Sequence, residues 1–93
     1  MFFVYAIKSE KTARIYIGQT NSIQNRLKAH NKGFVKSTKR DCPWKIYAYE
    51  IVSERKDAMK LEWKLKKSRG FQVKWLENNM ILDPADKKEE DAD

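Results

Sequence analysis

The sequence predicts a small α/β (α+β) domain built from three strands and about three helices. Three runs rich in β-branched and aromatic residues have the length of strands, at residues 2–9, 14–18 and 44–52. Segments with helix-start and helix-stop signals follow the second and third runs. At 93 residues and 41% hydrophobic content, the chain is large enough for one modest core and therefore for one domain.

The first two runs are predicted to pair, because only the four polar residues 10–13 separate them. Side chains of the second run alternate between the two faces of the strand. Tyr16 and Gly18 share one face with Arg14, and the isoleucines between them occupy the other face. We expect this strand to end at Gly18.

The first helix is predicted over residues 22–31. Residues 20–22 read Thr-Asn-Ser and supply candidate N-cap side chains, and Gly33 is a plausible stop. Residues 33–43 then form a basic loop that leads to the third strand.

Two further helices are predicted after the third strand. Ser53 is a candidate cap for a helix over residues 54–68, which we expect to end near Gly70. A short final helix is predicted over residues 71–79.

Charge divides the chain into two parts. Residues 83–93 carry six acidic and two basic side chains, a net charge of −4, and we expect them to form a disordered tail. Residues 1–82, the predicted folded domain, carry 18 basic and 7 acidic side chains, a net charge of +11. A domain this basic favours a polyanionic partner, and nucleic acid in particular.

The sequence gives no indication of secretion or of a membrane partner. The opening apolar run meets Lys8 at once and lacks a basic segment before it, so it is predicted to be a buried strand. Cys42 is the single cysteine, which excludes an intramolecular disulfide and favours a reducing, cytoplasmic setting. Cys42 has no His or Cys partner at metal-binding spacing, so a structural role is predicted.

The first helix presents two neighbouring stripes of side chains. Ile23 and Leu27 are four residues apart and are predicted to face the core. Arg26 and His30 are also four residues apart and lie on the adjacent stripe. A polar pair beside the core-facing stripe is a candidate part of a functional site.

The second helix carries one acidic residue at the edge of its apolar stripe. Ala58, Leu61 and Leu65 form the stripe, and Glu62 lies beside it on a strongly basic helix. One interpretation is a salt bridge from Glu62 to Lys66 at i+4. The other is a metal ligand, because a hard divalent cation on a phosphate needs carboxylate oxygen. The helical pattern alone leaves both open.

Taken together, these residues resemble the GIY-YIG nuclease superfamily. "VYA" at Val4–Ala6 and "YIG" at Tyr16–Gly18 resemble its paired motif, and the likeness extends over residues 2–76. The residues that agree in order and spacing are Tyr5, Tyr16, Gly18, Arg26, His30 and Glu62. Read up to the tyrosine, the first tripeptide is "FVY" rather than "GIY", which keeps the tyrosine and loses the glycine.

The resemblance implies a fold, an activity and a cofactor. The fold is a three-stranded antiparallel sheet flanked by helices. The activity is hydrolysis of a phosphodiester bond in DNA with one divalent ion, Mg²⁺ or Mn²⁺. The chain most resembles small bacterial members related to the nuclease domain of the excision-repair incision subunit, which implies DNA repair or recombination.

The resemblance also implies roles for the matching side chains. Tyr5 and Tyr16 would position and deprotonate the attacking water, and we favour Tyr5 as the base. Arg26 would bind the scissile phosphate with its guanidinium fork. Glu62 would bind the metal ion. Gly18 would let the backbone and the substrate approach each other closely beside Tyr16.

A tyrosine base needs help from neighbouring charge. An unperturbed tyrosine, with a pKa of about 10, is only ~0.1% ionised at pH 7. Positive charge lowers that pKa, and the candidate sources are Arg26, His30, Lys36 and the metal ion. His30 itself is expected either to touch phosphate or to assist proton transfer.

Two basic segments are predicted to bind the DNA backbone. The residues concerned are Lys36, Ser37, Thr38, Lys39, Arg40, Lys64 and Lys67. The nearby aromatic residues are expected to serve packing rather than recognition. They are Trp44 and Tyr47 in the core, and Trp63, Phe71 and Trp75 between helices.

Two functions of different classes fit the sequence. The first is a metal-dependent DNA endonuclease or nickase that acts on duplex or branched DNA. The second is a nucleic-acid-binding module with weak or lost catalysis, acting with a protein partner that supplies specificity. The positive charge fits RNA as well as DNA.

Overall fold

The computed structural model describes residues 1–81, so the predicted tail over residues 83–93 lies outside the described residues. In chain order the elements are β1 (Phe2–Ser9), β2 (Ile15–Thr20), α1 (Ile23–Asn31), β3 (Trp44–Val52), α2 (Arg55–Lys67) and α3 (Arg69–Asn79). The loop before β3 contains one 3-10 turn, Lys39–Asp41. The predicted α/β class is therefore confirmed. Within residues 1–81, no helix is both long and apolar enough to cross a membrane.

β1 is the central strand of the sheet. The strand order is β2-β1-β3, and both pairings are antiparallel, as expected. In this register Tyr5 lies opposite Gly18 on one side and opposite Tyr49 on the other. Tyr5 is therefore held at the centre of the sheet, with Gly18 directly across from it.

One face of the sheet is covered by α2 and α3. Val4 and Ala6 of β1 point to this face and are fully buried. They pack with Ala58 and Leu65 of α2 and with Trp75 of α3. The predicted apolar stripe of α2 is confirmed by this packing.

The other face of the sheet is covered by α1 and the loop that follows it. Tyr5 and Ile7 of β1 point to this face and form a second buried cluster with Trp44. Ile23 and Leu27 of α1 pack against the cluster, as their spacing predicts. The period-2 alternation of β1 therefore supplies both halves of the core, and it places Tyr5 on the face covered by α1.

The boundaries of β2 and α1 differ slightly from the prediction. β2 continues to Thr20, so Gly18 lies inside the strand and does not end it. The hydroxyl of Ser22 caps α1 by accepting the backbone N–H of Asn25 at 3.4 Å. The sequence cannot show that Gly18 stays in the ladder, because that depends on its partner Tyr5 across the strand pair.

The boundaries around α2 and α3 also differ. The N-cap of α2 is Glu54 rather than Ser53, and no side chain caps this end of the helix. Ser68 ends α2 and also begins α3, where its side chain accepts the N–H of Phe71. α2 therefore ends at Lys67, near Gly70 as expected, while Gly70 itself lies inside α3.

Candidate active site

A buried tyrosine–histidine pair lies between β1 and α1. Tyr5 is only 2% exposed, and its hydroxyl lies 2.8 Å from Nε2 of His30. His30 is fully buried. The predicted stripe of α1 thus brings His30 to Tyr5, but His30 faces the core and has no direct access to a phosphate.

The other ring nitrogen of His30 is held by the basic loop. Nδ1 lies 2.7 Å from Oγ1 of Thr38, whose hydroxyl donates to the carbonyl of Val35 at 3.3 Å. The Thr38 oxygen is then the acceptor for Nδ1–H, and Nε2 is left to accept the hydroxyl proton of Tyr5. A chain of hydrogen bonds therefore runs from Tyr5 through His30 to a backbone carbonyl.

Burial keeps both members of this pair uncharged at neutral pH. Burial, and to a lesser degree the Arg26 guanidinium, lowers the pKa of His30 to about 4. Burial raises the pKa of Tyr5, an effect that Arg26 opposes without cancelling. His30 therefore cannot supply the positive charge expected for activating a tyrosine, but a neutral imidazole can accept a proton.

Gly18 makes room for the phenol of Tyr5. A Cβ atom at Gly18 would lie 2.6 Å from Oη and 2.8 Å from Cζ of Tyr5. Both distances are shorter than any real contact of this kind, so only glycine fits opposite the ring. In this structure the close neighbour of Gly18 is Tyr5, and the approach of substrate to Gly18 stays a prediction.

Tyr16 is the second tyrosine of the cluster and is more accessible than Tyr5. Its ring meets the ring of His30 edge-on, with centroids 5.2 Å apart. Nζ of Lys66, from α2, lies 5.7 Å from the centroid of the Tyr16 ring. Tyr16 therefore lies between His30 and α2, the helix that carries Glu62.

Arg26 carries an unpaired donor. Its Nε is buried and has no hydrogen-bond partner within residues 1–81. Its side chain also lines a polar pocket of about 220 Å³ at the start of α1 and α2. The residues lining the pocket are Phe2, Gln19, Thr20, Asn21, Arg26 and Arg55. Buried donors are rarely left unpaired, so Arg26 is a candidate for binding an anion.

Glu62 lies on α2 beside the cluster and is paired with a lysine. Its Oε2 accepts a hydrogen bond from Nζ of Lys66 at 2.6 Å, which is the i,i+4 salt bridge considered above. Its side chain is half-buried. The carboxylate is also close enough to raise the pKa of Tyr5 slightly. The salt bridge is thus present, and it places the carboxylate at the cluster.

The described side chains that could bind a metal ion here suit a hard cation held by few protein ligands, and they do not form a complete coordination site. Within the described part of the chain, no three His, Cys, Asp or Glu side chains converge on one point. Mg²⁺ is usually held by one or two carboxylates, with water and substrate phosphate completing its shell. Glu62 fits that arrangement, because its charge and that of Arg26 both act on Tyr5.

Most of the predicted DNA-binding side chains lie on the surface. The exposed ones are Lys36, Ser37, Lys39, Arg40, Lys64 and Lys67. Thr38 is different, because it is fully buried and its hydroxyl contacts His30. The prediction that Thr38 binds DNA is therefore wrong, and its contact with His30 was not foreseen.

Two side chains near the site make contacts that the sequence does not reveal. Cys42 donates its thiol to the backbone carbonyl of His30 at 3.0 Å, which supports a structural role. Arg14 bonds both the Asp41 carboxylate and the Ser37 carbonyl, so it holds the loop that carries Thr38. Loop-to-helix contacts of this kind have no periodic signal in a sequence.

The expectation that all three C-terminal aromatic residues pack between helices is only partly correct. Trp75 is buried, and its Nε1 donates to Glu50 at 2.7 Å. Trp63 is 61% exposed and Phe71 is 40% exposed. Trp44, predicted to lie in the core, is buried.

Comparison with known proteins agrees with this geometry. The model of the GIY-YIG catalytic domain matches residues 1–76. A UPF0213 protein of Clostridium perfringens is 31% identical over 91 residues, covering 96% of this chain and 97% of the relative. A UPF0213 protein of Bacillus licheniformis is 35% identical over 75 residues, covering 78% of this chain and 77% of the relative. A UPF0213 protein of Pediococcus pentosaceus is 32% identical over 82 residues, covering 86% of this chain and 85% of the relative. No solved structure matches significantly.

Proposed function

The chain belongs to the GIY-YIG family, and from this membership we propose that it is a metal-dependent DNA endonuclease or nickase. The observation that carries the proposal is the unpaired, buried Nε of Arg26 beside the Tyr5–His30 pair. An anion site next to a proton-accepting pair is what phosphodiester hydrolysis requires. We place the reaction in DNA repair or recombination.

Arg26 binds the scissile phosphate in this proposal. Its fork of N–H donors suits two phosphate oxygens, and its partial burial strengthens the interaction. Charge accumulates on those oxygens in the transition state, so Arg26 stabilises the transition state more than the ground state.

Tyr5 and His30 together accept the proton of the attacking water. Because burial raises the pKa of Tyr5, the phenol is un-ionised at neutral pH and is no base by itself. As the water attacks phosphorus, its proton passes to Oη of Tyr5, and the hydroxyl proton of Tyr5 passes to Nε2 of His30. Thr38 keeps the imidazole oriented for this step. Tyr16, the more accessible tyrosine, positions the water.

Glu62 would hold the divalent cation, Mg²⁺ or Mn²⁺. When bound, the cation would supply positive charge to the phosphate and to the leaving 3′ oxygen. Lys66 already holds the carboxylate in place at the edge of the site. Among the described residues we assign one carboxylate to the cation, so its binding would depend strongly on substrate phosphate.

Cutting of supercoiled plasmid tests the proposal. Wild type should convert plasmid to nicked or linear forms only with Mg²⁺ or Mn²⁺. Glu62→Gln, Arg26→Ala and Tyr5→Phe should each lower the rate by about 100-fold or more. Glu54→Gln and Arg69→Ala are matched controls, because both change exposed charges away from the cluster and should cut normally.

The opposite result would favour the binding module. In that case pure protein would bind duplex, flapped, branched or single-stranded DNA with no metal-dependent cutting of any of them. The three site variants would then bind and behave like the two controls.

A further inference from the structure

The surface of α2 and α3 beside Glu62 carries exposed aromatic rings. Two of the three tryptophans are buried and hydrogen-bonded, Trp44 to the Thr38 carbonyl and Trp75 to Glu50. Trp63 is 61% exposed. Phe71, 40% exposed, lines a shallow pocket together with Trp63, so the two rings form one exposed apolar patch, and contiguous patches of this kind mark interaction sites.

Lysines surround this tryptophan. Nζ of Lys67 lies 4.8 Å from the centroid of the Trp63 ring, and Nζ of Lys64 lies 5.9 Å from that of Phe71. These four side chains, with Ser68, line a shallow pocket of about 280 Å³. We call these five residues the α2–α3 patch. Flat rings interleaved with ammonium groups are the combination that binds single-stranded nucleic acid, because bases stack on the rings and phosphates pair with the lysines.

The patch also lies next to the proposed catalytic centre. Trp63 directly follows Glu62 on α2, so their Cα atoms are about 3.8 Å apart. Successive side chains of a helix project about 100° apart, which puts Trp63 and Lys67 on the stripe beside Glu62 and Lys66. One DNA strand can therefore contact the carboxylate and the patch together.

We propose that the α2–α3 patch binds an unpaired DNA segment next to the scissile phosphate, with a base stacked on Trp63 and phosphates on Lys64 and Lys67. This inference rests on the proposed nuclease function and adds a substrate class to it. The substrate is DNA with a single-stranded stretch, such as a flap, a fork or a frayed end. Plain duplex offers no free base face to Trp63.

Binding of oligothymidylate to the full-length protein in EDTA tests the patch without cutting. Trp63→Leu, which keeps an apolar side chain but no ring, should weaken binding at least fivefold, since base stacking contributes about 1–3 kcal/mol per base. Trp63→Phe should stay within about threefold of wild type, because it keeps a ring. Ile51→Ala removes an exposed apolar side chain on β3 and should change nothing.

A second measurement does not depend on any variant. Wild type should bind an abasic oligonucleotide of equal length at least fivefold more weakly than oligothymidylate, because stacking is lost and charge is kept. Equal binding of the two oligonucleotides, or wild-type binding by Trp63→Leu, would overturn the proposal. So would a preference for oligouridylate over oligothymidylate of tenfold or more, which would make RNA the ligand.

The two proposals fail in different ways. If the protein cuts plasmid but its binding of oligothymidylate does not depend on Trp63, the patch proposal is wrong and the nuclease proposal stands. If binding of oligothymidylate depends on Trp63 but no DNA is cut, the nuclease proposal is wrong. The patch is then a surface that binds single-stranded DNA.

Discussion

His30 is the side chain whose state depends most on the fold. Its pKa is lowered from 6.5 to about 4, so the unfolded chain binds a proton there at a higher pH than the folded chain does. The stabilising contribution of neutral His30 is therefore complete above about pH 6.5 and is lost as pH falls toward 4. Between pH 7 and pH 5 we expect a loss on the order of 2 kcal/mol in the free energy of unfolding.

Urea unfolding at pH 7 and pH 5 measures this loss, and His30→Gln provides the comparison. The variant should be less stable than wild type at pH 7, and its stability should change much less between the two pH values. NMR gives an independent check, because His30 is the single histidine of the chain. If its ring signals titrate near pH 6.5, the neutral buried state is wrong.

Gly18 and Gly70 differ in whether the surrounding structure has room for a Cβ atom. Alanine at Gly18 would force the phenol of Tyr5 to move and break its bond to His30, because the new Cβ would lie 2.6 Å from Oη. We expect Gly18→Ala to cost about 1–3 kcal/mol of stability and to abolish cutting.

Gly70→Ala is the matched control for that substitution. A Cβ at Gly70 meets nothing within 4 Å, and the residue is helical. Alanine there should raise stability by up to about 1 kcal/mol and leave cutting unchanged. Thermal unfolding and plasmid nicking measure both effects. A Gly18→Ala protein with wild-type stability and wild-type cutting would refute the account of the Tyr5–Gly18 contact.

At the scale of elements, helix α2 connects the core to the proposed metal ligand. Its apolar stripe fixes the helix on the sheet, and this leaves Glu62 and Lys66 paired at the border of the site. The ammonium of Lys66 and a divalent cation would compete for the same carboxylate. Lys66 therefore orients Glu62 in the absence of the cation, and we expect it to oppose binding of the cation.

Removing the lysine should consequently favour metal binding. Lys66→Met should bind Mn²⁺ severalfold more tightly than wild type in the absence of DNA, as measured by calorimetry or by electron paramagnetic resonance. Its effect on stability should be small, about 0.5 kcal/mol, because i,i+4 pairs contribute little. Lys60→Met, on an exposed position of the same helix, should bind Mn²⁺ like wild type. Equal Mn²⁺ affinity in the two variants would exclude competition by Lys66.

Helices and strands were predictable from the sequence where the spacing of apolar residues within the element determines which side chains face the core. The alternation in β2 and the i,i+4 spacing in α1 were enough to bring Tyr16 and His30 to one face. Thr38 and Trp63 were misjudged because their environments depend on contacts between elements. Thr38 is buried because the loop returns to His30, and Trp63 is exposed because α3 packs elsewhere on α2.

At the scale of the whole molecule, two groups of exposed basic side chains lie on elements that carry residues of the candidate site. The loop that carries Lys36, Lys39 and Arg40 is tied to the site through Thr38 and His30. Helix α2 brings Lys64 and Lys67 to its other border, beside Glu62. A backbone crossing the site would contact both groups, so binding should weaken steeply with salt.

We expect the acidic residues 83–93 to oppose that attraction through their charge. They lower the net charge from +11 for residues 1–82 to +7 for the whole chain. Deleting them should tighten duplex binding severalfold at ~20 mM salt, and the difference should largely vanish above ~0.3 M, where charges are screened within about 6 Å. A full-length variant with the six acids changed to amides separates charge from length and should bind like the deletion. Fluorescence anisotropy with a labelled duplex gives the dissociation constants. An unchanged constant at low salt would mean that this acidic segment does not compete with DNA for the basic surface.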